Sequence, residues 1–214
     1  MNAKETEYNG YRFRSRLEAR WAVFFDAAKI EYEYEPEGFD LSSGGYLPDF
    51  YLPDYELYVE IKPFDRKVVS YSGDYNKWEK KCDTFRSEVG KAILLCYEDP
   101  SHDIRMQLFA YDTTDSSGGE YVNDAVFKQK NGSIYVVACD SRQDRTLFIS
   151  NSWVTNKYVI TASDWVRMNI REIASDATIE VFDFKATDIL NVAKKEARQA
   201  RFEHGEKPLP SRFS

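Results

Sequence analysis

The sequence predicts a protein of α/β (α+β) class, in the order helix, three strands, helix, strand, followed by a β-rich extension and a last helix. Three observations carry this expectation. Apolar residues recur at helical spacing after Ser15, Asp74 and Asp188. Short apolar or alternating runs of strand length fall at 30–34, 46–52, 57–62 and 92–97. Turn signals separate them, at Asn9-Gly10, Glu35-Pro36-Glu37-Gly38, Pro53-Asp54-Tyr55-Glu56 and Gly90. The 214 residues fit one large domain, or one domain with an added module. Residues 1–100 read as the core, 101–184 as a β-rich extension, and 185–214 as a helix and tail packing on the core.

Taken in order, ring and charge alternate from Tyr11 to Arg14, which suits a short strand. Ser15-Arg16-Leu17-Glu18 then opens a helix with a capping-box pattern. That helix reaches about Lys29, and Leu17, Trp21, Phe24, Phe25 and Ala28 form its apolar stripe. Residues 30–34 read as a strand. The helix expected from an Asp74 N-cap to Val89 carries Tyr75, Trp78, Cys82 and Phe85 on one side. Lys77 and Lys80 lie on the other, with Lys81 at the border. Ala92 to Tyr97 is a continuous apolar run, as in a strand buried on both faces. Asn131-Gly132 joins 125–130 to 133–139 as a hairpin. Further strands are expected at 146–150, 157–161 and 178–184, and a short helix at 163–173. A last helix runs from Thr187 or Asp188 to about His204, with Leu190, Ala193, Ala197 and Ala200 as its apolar stripe.

The strands at 46–52 and 57–62 place the chemistry. A turn centred on Asp54-Tyr55 pairs positions whose numbers sum to about 109. Asp49 then opposes Glu60, and the period of two puts Asp49, Glu60 and Lys62 on one face. Phe50, Leu52, Leu57, Val59 and Ile61 take the other face, which reads as core. Like charges directly opposite are destabilising, and a divalent cation is the usual neutraliser. Two carboxylates suit such an ion, the carbonyl of Ile61 is a further oxygen between them, and a lysine suits water orientation or charge compensation at a phosphoryl group. The bland alternative is a solvated hairpin face. Glu18 is either the N3 member of the capping box or a third carboxylate at the same point.

Bulk properties bound the partners. The net charge is −7, from 29 Lys and Arg against 36 Asp and Glu, which argues mildly against a nonspecific nucleic-acid binder. Acid dominates residues 1–62, whereas base outnumbers acid in 186–214. No apolar run of about 18 residues exists, so no membrane partner is expected. The N-terminus lacks an apolar signal core, and Cys82, Cys96 and Cys139 form no Cys-x-x-Cys pair. A reduced cytoplasmic setting and no structural zinc follow as expectations.

The element order and these motifs resemble the PD-(D/E)XK (restriction-endonuclease-like) nuclease superfamily. The stretches at 11–22, 34–39, 46–52, 58–63 and 200–206 are similar to small nucleases of phage and prophage genomes. The resemblance implies an αβββαβ core with a mixed sheet. It also implies an Mg2+-dependent endonuclease, a hydrolase of phosphodiester bonds in DNA, acting in the cytoplasm of the host cell if phage-encoded. Asp49, Glu60 and the Ile61 carbonyl would bind Mg2+ or Mn2+, Lys62 would position the attacking water, and Glu18 would assist. Some relatives carry cysteine pairs in the middle region that this chain lacks, so no zinc module is expected. Basic residues at Arg14, Arg16, Lys77 and Lys81 are the candidate phosphate contacts. The resemblance leaves room for a homodimer. Two rival readings stay open: a catalytically silent binding protein with the nuclease fold, such as a phage inhibitor of a host system, and a nuclease for RNA or branched DNA.

Overall fold

A computed structural model describes residues 4–63, 73–101, 105–111, 120–130, 133–140, 145–150 and 188–202. The chain begins with a hairpin, β1 (Thr6–Tyr8) and β2 (Tyr11–Phe13), paired Tyr8↔Tyr11. β1 has too little apolar content to be read from sequence. The turn between the strands has positive φ at both Asn9 and Gly10, the combination that a type I′ hairpin requires.

Helix α1 (Arg16–Ala28) starts where its cap dictates. Ser15 is extended, and its hydroxyl oxygen accepts the Glu18 N–H. The helix ends in a Schellman arrangement, with Lys29 at φ 59. There the Ile30 N–H reaches the Phe25 carbonyl and the Lys29 N–H reaches that of Asp26. The left-handed Lys29 turns the chain sharply, so the expected strand at 30–34 shrinks to β3 (Glu33–Tyr34).

Next come β4 (Phe39–Leu41) and β5 (Gly44–Tyr46), which among the described residues pair only with each other. The strand expected over 46–52 is therefore two strands. β5 belongs to a separate hairpin, residues 47–49 leave the ladder, and pairing resumes at β6 (Phe50–Leu52). Pro48 explains part of this, because it has no N–H to give to a ladder. A single 3-10 turn, Pro53–Tyr55, leads into β7 (Leu57–Lys62). Helix α2 (Gly73–Val89) follows and stops at Gly90, φ 73. Asp74 thus lies inside the helix rather than at its N-cap. Strand β8 (Ile93–Tyr97) completes this part of the chain.

The strands β9 (Arg105–Tyr111), β10 (Glu120–Lys130), β11 (Ser133–Asp140) and β12 (Arg145–Ser150) continue the same sheet. Its order is β12-β11-β10-β9-β8-β7-β6-β3. β7 and β8 run parallel, joined through α2, and every other neighbour pair in it is antiparallel. The architecture is a mixed α/β one of α+β class. Lys130 pairs with Ser133, the two-residue spacing expected of the Asn131-Gly132 hairpin. The elements expected at 157–161, 163–173 and 178–184, the loop at 64–72, and His204 with the tail lie outside the described residues.

Both faces of the central strands are covered. Phe50, Leu52, Leu57, Val59, Ile61, Leu94 and Cys96 meet α1 and the last helix, α3 (Asp188–Gln199). Tyr58, Ile93, Leu95, Tyr97 and Phe109 meet Cys82 and Phe85 of α2 and the β4–β5 hairpin. This double cover is why β8 reads as an uninterrupted apolar run. α3 lays Leu190, Ala193 and Ala197 onto α1, and the small alanines allow close approach. α1 is thereby enclosed from two sides, and most of its residues are buried rather than one stripe. α3 stops at Gln199, short of the expected His204, although the Ala200 N–H still reaches the Glu196 carbonyl.

Candidate functional site

The register expected from the turn is the one found. Phe50 pairs with Val59, Tyr51 with Tyr58, and Leu52 with Leu57. One step further, the backbone leaves the ladder and the Asp49 side chain takes its place. Asp49 Oδ2 accepts the Ile61 N–H at 2.7 Å. Its backbone carbonyl accepts the Glu35 N–H at 3.0 Å. Asp49 is fixed by Glu35, just after β3, on one side and by β7 on the other.

The face that carries Asp49, Glu60 and Lys62 is not solvated. Asp49 is 3 % and Glu60 2 % exposed, because α2 and the β4–β5 hairpin roof this side of the sheet. The roof leaves a cavity of about 870 Å3. Arg14, Glu18, Tyr46, Asp49, Glu60, Lys62, Trp78 and Lys81 are among the residues that line it.

Lys62 stands at the centre of this group. Its ammonium is ion-paired with Glu60 Oε1 and lies 3.6 Å from Asp49 Oδ2. It donates to the Ile61 carbonyl at 3.0 Å and sits 4.0 Å from the centre of the Trp78 ring. Burial disfavours its charge, but Asp49 and Glu60 outweigh that penalty and raise its pKa. Asp49 moves the other way in charge. Burial and then the Glu60 carboxylate push it up to about 8, against the opposing pull of Lys62 and the Ile61 N–H. At neutral pH the site therefore resists holding Asp49 as an anion, even beside one ammonium.

Glu18 performs its capping role and also reaches the site. Its Oε1 accepts the Ser15 hydroxyl at 2.6 Å. Its Oε2 accepts the Tyr34 hydroxyl at 2.7 Å and the Arg14 N–H at 3.1 Å. It lines the cavity, and its charge contributes to the raised pKa of Asp49 and of Lys62. One carboxylate thus stands both at the helix start and on the cavity wall.

The candidate phosphate contacts divide. Arg14 lines the cavity, paired with Glu35 and 3.5 Å from Asp49 Oδ1. Lys81 lines it from α2, donating to the Gly45 carbonyl at 3.2 Å and lying 5.3 Å from the Tyr46 ring centre. Arg16 on α1 and the exposed Lys77 on α2 are not among the residues of that wall. Tyr46 and Trp78 belong to the site although sequence reasoning gave them no role. Tyr46 stands three residues before Asp49. Trp78 lies one turn before Cys82 on the buried side of α2.

The donor chemistry fits a hard divalent cation. Asp49, Glu60 and the Ile61 carbonyl offer oxygens only, and burial with the neighbouring Glu60 disfavours the Asp49 anion, a cost that a bound cation would offset. Among the described residues, no three or more His, Cys, Asp and Glu side chains form a ready-made cage. Mg2+ does not require one, since it is commonly held by one or two carboxylates with waters and substrate phosphate. The two cysteines on the described side chains, Cys82 and Cys96, are both buried and free. No helix among the described residues is long and apolar enough to cross a membrane. No family model, no curated protein and no solved structure matches this chain.

Proposed function

We propose that the protein is a metal-dependent nuclease that hydrolyses phosphodiester bonds in DNA. The observation that carries this reading is the convergence of the buried Asp49 and Glu60 and the half-buried Lys62 at one cavity that Arg14 and Lys81 also line. On this reading α1, β3, β6, β7, α2 and β8 are the restriction-endonuclease-like core, and the β4–β5 hairpin is an addition to it.

Asp49 and Glu60, with the Ile61 carbonyl, would hold Mg2+ or Mn2+. The bound ion supplies a water of lowered pKa and stabilises charge on the phosphoryl group. Lys62, freed from Glu60, orients the attacking water and offsets the negative charge that develops. Glu18 holds the Arg14 backbone through its capping bonds. The Arg14 guanidinium and the Lys81 ammonium take the phosphates that flank the scissile one. The roof formed by α2 and β4–β5 keeps Asp49 and Glu60 out of bulk water, and a charge shielded from water acts more strongly.

A second reading has one observation in its favour. Lys62 closes on Glu60 and satisfies part of the charge internally, as a silent scaffold would. The experiment that separates the two is a cleavage panel of supercoiled, linear, single-stranded and branched DNA and RNA, each with Mg2+, Mn2+ or EDTA. The nuclease reading expects cleavage of at least one DNA form, abolished by EDTA and by Glu60→Ala or Lys62→Ala. No cleavage of any substrate would leave the binding-protein reading standing.

A further inference from the structure

Each of the two carboxylates takes a hydrogen bond on one oxygen and meets a cationic side chain with the other. For Asp49 the tie is the backbone N–H of Ile61 on Oδ2, and Oδ1 faces the Arg14 guanidinium. For Glu60 the tie is a side chain. The Tyr46 hydroxyl donates to Glu60 Oε2 at 2.8 Å, while Oε1 meets Lys62. Tyr46 comes from β5, outside the main sheet, so the β4–β5 hairpin contributes a working part of the site.

Tyr46 is itself held firmly. It is buried, its ring packs edge-on against Phe85 of α2 at 5.5 Å, and Lys81 lies over the ring. The hairpin is fastened to α2 through Phe39 on Phe85, Lys81 on the Gly45 carbonyl, and the Ser42 N–H on Glu88 at 2.9 Å. A tyrosine has two side-chain torsions, and here the packing around the ring fixes them. Its hydroxyl is a donor of defined position inside the fold.

We propose that Tyr46 is the positioning residue of Glu60: its hydroxyl fixes the carboxylate so that Oε1 points into the cavity to receive a divalent cation. This rests on the nuclease reading only for the use made of the cation, since the binding itself is measurable alone. Groups that hydrogen-bond to metal-ligating carboxylates typically govern metal affinity or activity by about 10- to 100-fold when removed. Without the hydroxyl, the Glu60 side chain regains torsional freedom beside a cavity wide enough to admit other rotamers.

The test is Mn2+ binding to the full chain by isothermal titration calorimetry, for wild type, Tyr46→Phe and Tyr97→Phe. Tyr97 loses a comparable buried hydroxyl bond, to Gln107 on the same sheet face, and serves as the control. The expected result is a Kd raised about tenfold in Tyr46→Phe and unchanged in Tyr97→Phe. In cleavage, the Mg2+ concentration for half-maximal rate rises in Tyr46→Phe more than the rate at saturating Mg2+ falls. Equal Mn2+ affinity in wild type and Tyr46→Phe overturns the assignment and leaves the nuclease reading intact. A wild type that binds no Mn2+ overturns both. Should Tyr46→Phe fail to fold, 3-fluorotyrosine at position 46 replaces it. Its 19F resonance is then expected to shift on adding Mg2+ and to lose that shift in a Glu60→Gln background; an unmoved resonance overturns the assignment.

Discussion

Replacing Asp49 by asparagine should stabilise the metal-free protein at neutral pH. Asp49 is 3 % exposed, and burial together with Glu60 pushes its pKa from 3.8 up to about 8. A carboxyl whose folded pKa is raised binds its proton more tightly in the folded state than in the unfolded one. Its stabilising contribution is complete below pH 3.8 and is lost as pH rises toward 8. Between pH 5 and pH 7 the loss approaches about 1.4 kcal/mol per pH unit, or about 3 kcal/mol over the interval. The substituted amide would carry no such charge, and its oxygen can still accept the Ile61 N–H. For a chain of this size about 3 kcal/mol corresponds to roughly 6–12 °C in Tm. The assay is differential scanning calorimetry in EDTA at pH 5, 6 and 7, for wild type and Asp49→Asn. The two proteins should melt close together at pH 5 and diverge by pH 7, with the variant higher. Parallel Tm curves, or a variant that is the less stable at pH 7, would refute the claim that this carboxylate is held at an energetic cost.

The same linkage predicts that Mg2+ binding at pH 7 releases close to one proton, since the folded Asp49 is largely protonated there; calorimetry in buffers of different ionisation enthalpy measures it, and Asp49→Asn should abolish the release. Ser15→Ala removes both the N-cap acceptor and a donor to Glu18, and should lower stability by about 1 kcal/mol, read as a Tm drop of roughly 2–4 °C. Phe50→Ala empties a fully buried position between Phe13, Phe25 and Tyr32, and should cost about 3–5 kcal/mol in a urea titration with little change in m.

The parts of the site that sequence made legible are those set by local geometry. The turn at 53–56 is short and the apolar residues alternate around it, so the β6–β7 register and the shared face of Asp49, Glu60 and Lys62 follow from counting. Ser15 and Glu18 are legible for the same reason, because a capping box is a four-residue pattern. What escaped is non-local. The burial of the acidic face comes from Phe85, Trp78 and the β4–β5 hairpin, and nothing adjacent to Asp49 signals that roof. Tyr46 was read as the start of the Asp49 strand, whereas it pairs with Phe39 and reaches Glu60 through space. The expected strand at 30–34 failed because Lys29 adopts the left-handed conformation that glycine usually supplies, a choice invisible to residue-type rules. Arg86, wholly buried and bonded to Asp83, was hidden in a helix read as amphipathic with its charges outside.

The most direct measurement is the single-turnover cleavage rate of the best-cut DNA by wild type and by Asp49→Asn, in saturating Mg2+ and in EDTA. If the buried carboxylates exist for catalysis, the more stable variant is the inactive one, with a rate at least about a hundredfold lower, and wild type in EDTA is equally silent. Cleavage by Asp49→Asn at the wild-type rate, or by wild type in EDTA, would contradict the assignment of this cavity as the hydrolytic site.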